Sequence, residues 1–205
     1  SNPIGTRGPA LSLDGGKSWS WLGTNAVKGK TFTCAFPRGV REARLCFAIP
    51  YQESNLKDFL KRHQRNRNLK VETLCATPKG RRVELLRLGR LDGKAQQCVL
   101  LTCRHHACEM IADYSLEGIM EAVLDTDAGR RLREQVELFV VPFMDKDGVE
   151  EGDQGKNRKP HDHNRDYDGE SLYASVRAVR ELVARRLGSR NIAVALDMHC
   201  PHIRG

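Results

Sequence analysis

The sequence predicts an α/β fold, a mostly parallel or mixed sheet flanked by helices over residues 51–205, preceded by a small all-β region over residues 1–50. Three observations predict it. From Cys98 onward, short continuous apolar runs alternate with segments of helical period, the pattern of a sheet whose faces are covered by helices. Before Pro50 the apolar segments are β-branched or alternating, bounded by Gly and Pro, and none has a convincing helical period. The change of pattern falls at one place, after Pro50.

Taken in order, TFTCAF and EARLCFAI read as strands of the first region, which looks like the end of a larger β-sandwich-like domain. Ser12, Asp14, Gly16, Ser18 and Trp19 have the spacing of an Asp-box, a hairpin in which Asp caps the turn and Trp packs beneath it. Its role is structural. In the second region Asn55 to His63 is helix-like, and KVETLCAT and RVELLRLGR are strands separated by the turn formers Pro78, Lys79 and Gly80. Then come a strand over Cys98 to Thr102, a helix over Glu109 to Leu124, a strand over Val136 to Phe143, a helix over Leu172 to Leu187 and a buried strand over Ile192 to Met198. The segment from Asp145 to Glu170 is a long polar loop, and a loop of more than ~15 residues inside a compact domain is usually functional or disordered.

The chemistry starts from HHACE. His106 and Glu109, three apart, project from the same side of a helical turn, so an imidazole nitrogen and a carboxylate oxygen can reach one zinc ion. Alone, an HxxE pair also fits any salt-bridging turn. A catalytic zinc needs a third ligand, and LDMHCP offers His199 at a strand end. Ligands in open α/β sheets gather at the carboxyl ends of strands, and His106, the Asp145 loop and His199 each follow a strand immediately.

The order of motifs resembles that of the zinc carboxypeptidases of the funnelin type, within them the cytosolic carboxypeptidase branch and its bacterial relatives. Arg104 stands two residues before His106, and His106 to Glu109 match an HPGE-like ligand pair. Asp145 to Gly148 stand for an NPDG turn, Asn157 and Arg158 for an asparagine-tyrosine-arginine element, and His163, Asn164 and Arg165 for a leucine-asparagine-arginine element. Leu196 to Pro201 match a strand-end LDLHSP context. HPGE has become HACE and NPDG has become DKDG, which changes turn residues and keeps ligand-type atoms.

The resemblance implies a zinc metallocarboxypeptidase that hydrolyses C-terminal residues from peptides or proteins. One zinc ion would be held by His106, Glu109 and His199; Arg158 would polarise the scissile carbonyl and stabilise its oxyanion; Asn164 and Arg165 would hold the substrate's C-terminal carboxylate. A guanidinium suits that last task because it grips a carboxylate with two parallel hydrogen bonds. The family's general-base glutamate, the tyrosine before it and the residue that selects the terminal side chain all fall beyond Gly205, so the catalytic domain reads as C-terminally incomplete. His105, His161 and His163 read as neighbours that shape the site.

Composition narrows the partners. The formal net charge of +8 favours an acidic partner through long-range steering. Aromatic residues are only 6% of the chain and no nucleic-acid module motif occurs, so stacking platforms are scarce and nucleic acid is not expected. Arg177, Arg180, Arg185 and Arg186 read as the solvated face of one helix. An acidic, glutamate-rich peptide tail is the partner that fits both the charge and the resemblance. No apolar run is long enough to span a bilayer, the N-terminus lacks a signal pattern, and the seven cysteines lack a repeated spacing, which together predict a reducing, cytoplasmic setting and no membrane. Three alternatives stay open: an aspartoacylase-type zinc deacylase, although its HGNE-like motif is absent; a catalytically incomplete zinc module that binds acidic tails; and a basic nucleic-acid binder. A thiolate-rich zinc site of Cys103, Cys108 and Cys200 ranks below the His, Glu, His set because no CxxC pair occurs.

Overall fold

Asp14 builds the first turn of the chain. Its Oδ1 accepts from the Lys17 and Ser18 amides, both at 3.0 Å, and from Ser12 Oγ at 2.8 Å, while its Oδ2 accepts from Ser18 Oγ at 2.6 Å. The Trp19 indole donates to the Gly16 carbonyl at 3.0 Å. This is the hairpin that the Asp-box spacing predicts. The bonds from Ser18 and Ser12 hold the Asp14 carboxyl far below the ordinary carboxylate range.

The computed structural model describes residues 5–188 and 190–200, in two compact units: 5–50 with Cys200, and Tyr51–His199. The first contains strands β1 (Ala10–Ser12), β2 (Ser20–Trp21), β3 (Val27–Lys28), β4 (Thr31–Phe32) and β5 (Arg44–Cys46). β2, β1 and β5 form one antiparallel sheet in that order, and β3 pairs with β4. All are short: of the expected strands TFTCAF and EARLCFAI only Thr31–Phe32 and Arg44–Cys46 pair, although neither segment contains Gly or Pro.

The second unit contains α1 (Glu53–Arg62), β6 (Leu69–Ala76), β7 (Arg82–Gly89), β8 (Gln97–Cys103), α2 (Ile111–Asp125), α3 (Arg130–Gln135), β9 (Val136–Val141), α4 (Lys146–Glu151), α5 (Ala174–Glu181) and β10 (Ile192–Met198). A π-helical turn, Leu182–Leu187, continues α5. The sheet runs β10-β8-β9-β7-β6. β10, β8 and β9 are parallel, β7 is antiparallel to β9, and β6 closes a hairpin with β7. The mixed sheet flanked by helices is therefore the fold that the alternation of patterns predicts.

Its centre is β9, buried at every residue. Phe139 and Val141 pack with Val83, Leu85, Cys98 and Leu100 of the neighbouring strands, and Val176, Val179 and Leu182 close over them. Burying apolar surface at ~25 cal/mol per Å² makes this layer a main source of stability. Glu137 is fully buried within the run and is neutralised by Arg87 and by Arg190, the latter at 2.7 Å.

Three elements differ from expectation. Among the described residues β10 pairs on one side, with β8, and is not enclosed as its apolar run predicts: Val194 is 42% and Leu196 52% exposed. An apolar run records β propensity and hydrophobicity, which an edge and a core strand can share. α3, with sequence RRLREQ, has no buried residue and hence no apolar stripe to betray it. The polar stretch after Asp145 contains α4 and a 3-10 turn at His163–Arg165, formed by local capping: Asp145 accepts from the Gly148 amide at 3.0 Å, and Asp162 accepts from the Asn164 and Arg165 amides. No helix among the described residues is long and apolar enough to cross a membrane.

Candidate metal centre

Because β8, β9 and β10 are adjacent and parallel, their carboxyl ends lie on one edge of the sheet, and the segments that follow them start side by side. The Met144 amide donates to the Cys103 carbonyl at 3.0 Å and the Asp145 amide to the Arg104 carbonyl at 2.9 Å, tying the end of β9 to that of β8. Thr102 Oγ1 donates to Asp197 at 3.0 Å, tying β8 to β10.

Between β8 and α2 the chain turns on Arg104, which has φ of 61°, a backbone conformation uncommon for a residue with a Cβ. Its guanidinium, 2% exposed, donates back to the Ala107 carbonyl, to the Tyr51 carbonyl at 2.9 Å and to Asp113. Those bonds lock the turn that carries His106 and Glu109. The pair lies just ahead of α2, where the Glu109 amide donates to the His106 carbonyl at 3.1 Å.

The three residues that the motifs single out as metal ligands meet here. His106 Nδ1 lies 3.1 Å from Glu109 Oε1, and His199 Nδ1 lies 2.5 Å from Glu109 Oε2. One donor atom from each falls within 4.8 Å of the others, so the set could hold one ion. Two imidazole nitrogens around a carboxylate only 3% exposed are the borderline nitrogen and oxygen donors that zinc takes, and the residues fit that ion.

Beyond them stands an outer layer. His106 Nε2 faces Asp162 at 3.6 Å, and His199 Nε2 faces Asp197 at 2.6 Å with Asn164 Nδ2 at 3.3 Å. Asp197 also receives His105 Nδ1 at 2.7 Å, whose Nε2 lies 2.7 Å from the Tyr167 hydroxyl. The Asp197 carboxylate on the far nitrogen of His199 favours the tautomer that leaves Nδ1 for the metal, while Asp162 stays beyond hydrogen-bond distance of His106. His105, Asp197 and His199 form a second set within reach of one ion, but these contacts already engage its donor atoms.

Electrostatics agree with the geometry. Burial works to raise the Glu109 carboxyl, yet Lys156, His199 and His106 hold it below its usual value. Burial works to lower His199, and the carboxylates of Asp197 and Glu109 raise it instead. Lys156 Nζ lies 2.6 Å from Glu109 Oε1.

The remaining expected residues divide. Asn164 sits beside His199, and the exposed Arg165 guanidinium has no ion-pair or hydrogen-bond partner among the described residues. Arg158 donates to Asp145 through Nε at 2.9 Å and Nη2 at 2.5 Å, and to Asp153 at 2.9 Å. None of its described contacts reaches His106, Glu109 or His199. His161 pairs with Asp166 and His163 stacks on Tyr173, and neither belongs to a candidate metal set among the described residues. Sequence reasoning missed Asp162, Asp197 and Lys156. Asp197 carried a signal, since it is two residues before a strand-end histidine and shares its face of the strand.

An α/β sheet that delivers His, Glu and His to the ends of its parallel strands is the build of a mononuclear metallohydrolase. The zinc carboxypeptidase family profile matches residues 56–194, and the chain belongs to that family. Among curated relatives it is 26% identical over 179 residues to cytosolic carboxypeptidase 3 of Mus musculus, covering 82% of this chain and 18% of that protein. It is 27% identical over 186 residues to cytosolic carboxypeptidase 2 of Danio rerio, covering 85% and 26%. Its fold matches a metallo-carboxypeptidase from Burkholderia cenocepacia with a TM-score of 0.74 at 22% identity, over 97% of this chain and 53% of that one. A metallo-carboxypeptidase from Pseudomonas aeruginosa, in complex with (2-guanidinoethylmercapto)succinic acid, gives 0.70 at 22% identity, over 98% and 54%. The chain thus spans about half of these solved proteins and about a quarter or less of the curated relatives.

Proposed function

We propose that this chain carries the metal centre and carboxylate clamp of a zinc metallocarboxypeptidase that removes C-terminal residues from peptide or protein tails, with glutamate-rich tails as preferred substrates and the cytoplasm as its compartment. The observation that carries the reading is the convergence of His106, Glu109 and His199 on one point beside Asn164.

His106, Glu109 and His199 would hold the zinc ion, with the first two supplied by the locked turn and the third by the end of β10. Zinc, when bound, lowers the pKa of a water toward ~7 and polarises a carbonyl. Asp197 keeps the His199 imidazole in the tautomer that presents Nδ1. Asn164 and Arg165 bind the substrate's terminal carboxylate, which sets the bond to be cut one residue from the clamp, so exopeptidase specificity follows from geometry. The resemblance assigns proton transfer to a glutamate and the oxyanion to Arg158. The formal charge of +8 favours approach of an acidic tail. Seven free cysteines and the cytosolic names of the relatives are in keeping with a reducing compartment.

The test is release of the terminal residue from peptides ending in Glu by the full-length protein, with zinc removed and restored. Zinc-dependent release from free-acid peptides and none from their amidated forms is the expected result. Absence of zinc-dependent release from any free-acid peptide overturns the reading.

A further inference from the structure

Gly155 is what brings a lysine to the metal centre. Its φ is +84°, and a Cβ there would lie 2.5 Å from the Ala107 amide nitrogen, so only glycine lets this strand of the loop lie flat on the turn that carries His106 and Glu109. The Cys108 amide pins the same stretch by donating to the Gln154 carbonyl at 3.2 Å. Lys156 therefore enters beside Glu109, with Nζ 2.6 Å from Oε1 and a side chain 31% exposed, so it touches both the buried carboxylate and the solvent from which a substrate arrives. Arg158, two residues on, turns away to Asp145 and Asp153.

We infer that Lys156, rather than Arg158, supplies the cation that the substrate's scissile carbonyl oxygen meets at this centre. The inference rests on the carboxypeptidase reading above. When water adds to the carbonyl carbon, the π pair moves onto oxygen and one negative charge develops there. Collapse of the tetrahedral species re-forms the carbonyl and expels the amine, which takes up the proton that the water gave. A cation held at the oxygen in advance stabilises the charged species more than the neutral amide.

Two physical reasons favour the lysine. To reach that oxygen, Arg158 would have to abandon a carboxylate that is only 3% exposed, and a buried charge left without its partner is strongly unfavourable. When Lys156 leaves Glu109, that carboxylate's charge is met by the metal the site is built to hold. An ammonium on a flexible four-carbon stem can make that short swing, whereas the planar guanidinium of Arg158 is fixed by its bonds to Asp145 and Asp153.

The experiment uses the zinc-loaded full-length protein and a phosphinic pseudopeptide, tetrahedral and anionic at the position of the scissile bond, with a free terminal carboxylate. Its affinity is measured by calorimetry beside that of the matching uncharged methylene analogue, and bound zinc is counted in every sample. Lys156→Met is expected to retain one zinc, to lose on the order of 100-fold in affinity for the phosphinate and to bind the methylene analogue as the wild type does. Lys156→Arg should recover part of the loss. An unchanged phosphinate affinity in Lys156→Met, an equal loss for both ligands, loss of zinc, or a loss carried by Arg158→Met alone each overturns the assignment. A zinc-loaded wild type that binds neither ligand overturns instead the carboxypeptidase reading on which it stands.

Discussion

Nδ1 of His199 lies 2.5 Å from Oε2 of Glu109 although 90 residues separate them along the chain. The contact is made by the sheet: β10 pairs in parallel with β8, Met198 stands beside Cys103, and the residues just beyond each strand start from the same edge. Because Glu109 also meets His106 and Lys156, its carboxylate is the hub of the centre. Glu109→Gln keeps the size of the side chain and removes the charge. Zinc affinity, measured by competition with a chromophoric chelator, is expected to fall by more than the ~10–100-fold that loss of an outer partner costs. An affinity equal to wild type in a folded Glu109→Gln protein would remove Glu109 from the ligand set.

Asp197 tests the layer behind the ligands. It receives His199 Nε2, His105 Nδ1 and Thr102 Oγ1, and the two histidines hold its carboxyl below its usual value although burial opposes this. Asp197→Asn can no longer orient both rings as an anion does, and a loss of ~10–100-fold in zinc affinity with unchanged stoichiometry is expected. If affinity is retained while thermal stability drops, the residue only joins β8 to β10.

How much of this was legible beforehand depends on the kind of signal. The nearness of His106 and His199 was legible because each follows an apolar run that reads as a strand and parallel neighbours end together, and Glu109 because it stands three residues from His106. The β6 and β7 hairpin could be read because Pro78 and Gly80 punctuate it. The pairing of Arg158 with Asp145 and Asp153 was not legible, because it depends on how the loop folds back on itself. Lys156 was hidden for the complementary reason: only the close approach of Gly155 to Ala107 turns a loop lysine toward Glu109.

Arg165 separates substrate binding from chemistry. It follows Asn164 in a turn capped by Asp162, is exposed, and offers a guanidinium without a partner among the described residues. For peptides with a free C-terminus, Arg165→Ala in the full-length protein is expected to raise KM steeply, consistent with a hydrogen-bonded ion pair worth ~2–3 kcal/mol. Steady-state kinetics on paired free-acid and amidated peptides checks it: the two substrates should become equally poor. An undiminished preference for the free acid would place the clamp elsewhere.

His163 makes a prediction about stability rather than catalysis. It is 6% exposed, stacks on Tyr173 with ring centroids 3.6 Å apart, and its Nδ1 has no hydrogen-bond partner among the described residues. Burial lowers its pKa from 6.5 to about 4, with Asp145 pulling the other way. In the unfolded chain an ordinary histidine takes its proton near pH ~6.5, whereas in the folded protein it does not until about pH 4, so between these values the unfolded state binds more protons. Stability from the neutral ring is therefore fully present above pH ~6.5 and is lost as pH falls toward 4, by at most ~3 kcal/mol. His163→Phe preserves the stack, gives up no hydrogen bond at Nδ1 and cannot titrate. Urea unfolding of both proteins from pH 7 to pH 4 should show the wild type losing stability relative to the variant across that window. Parallel curves would mean that the folded protein protonates His163 as readily as water does, and that the ring is not held neutral by its surroundings.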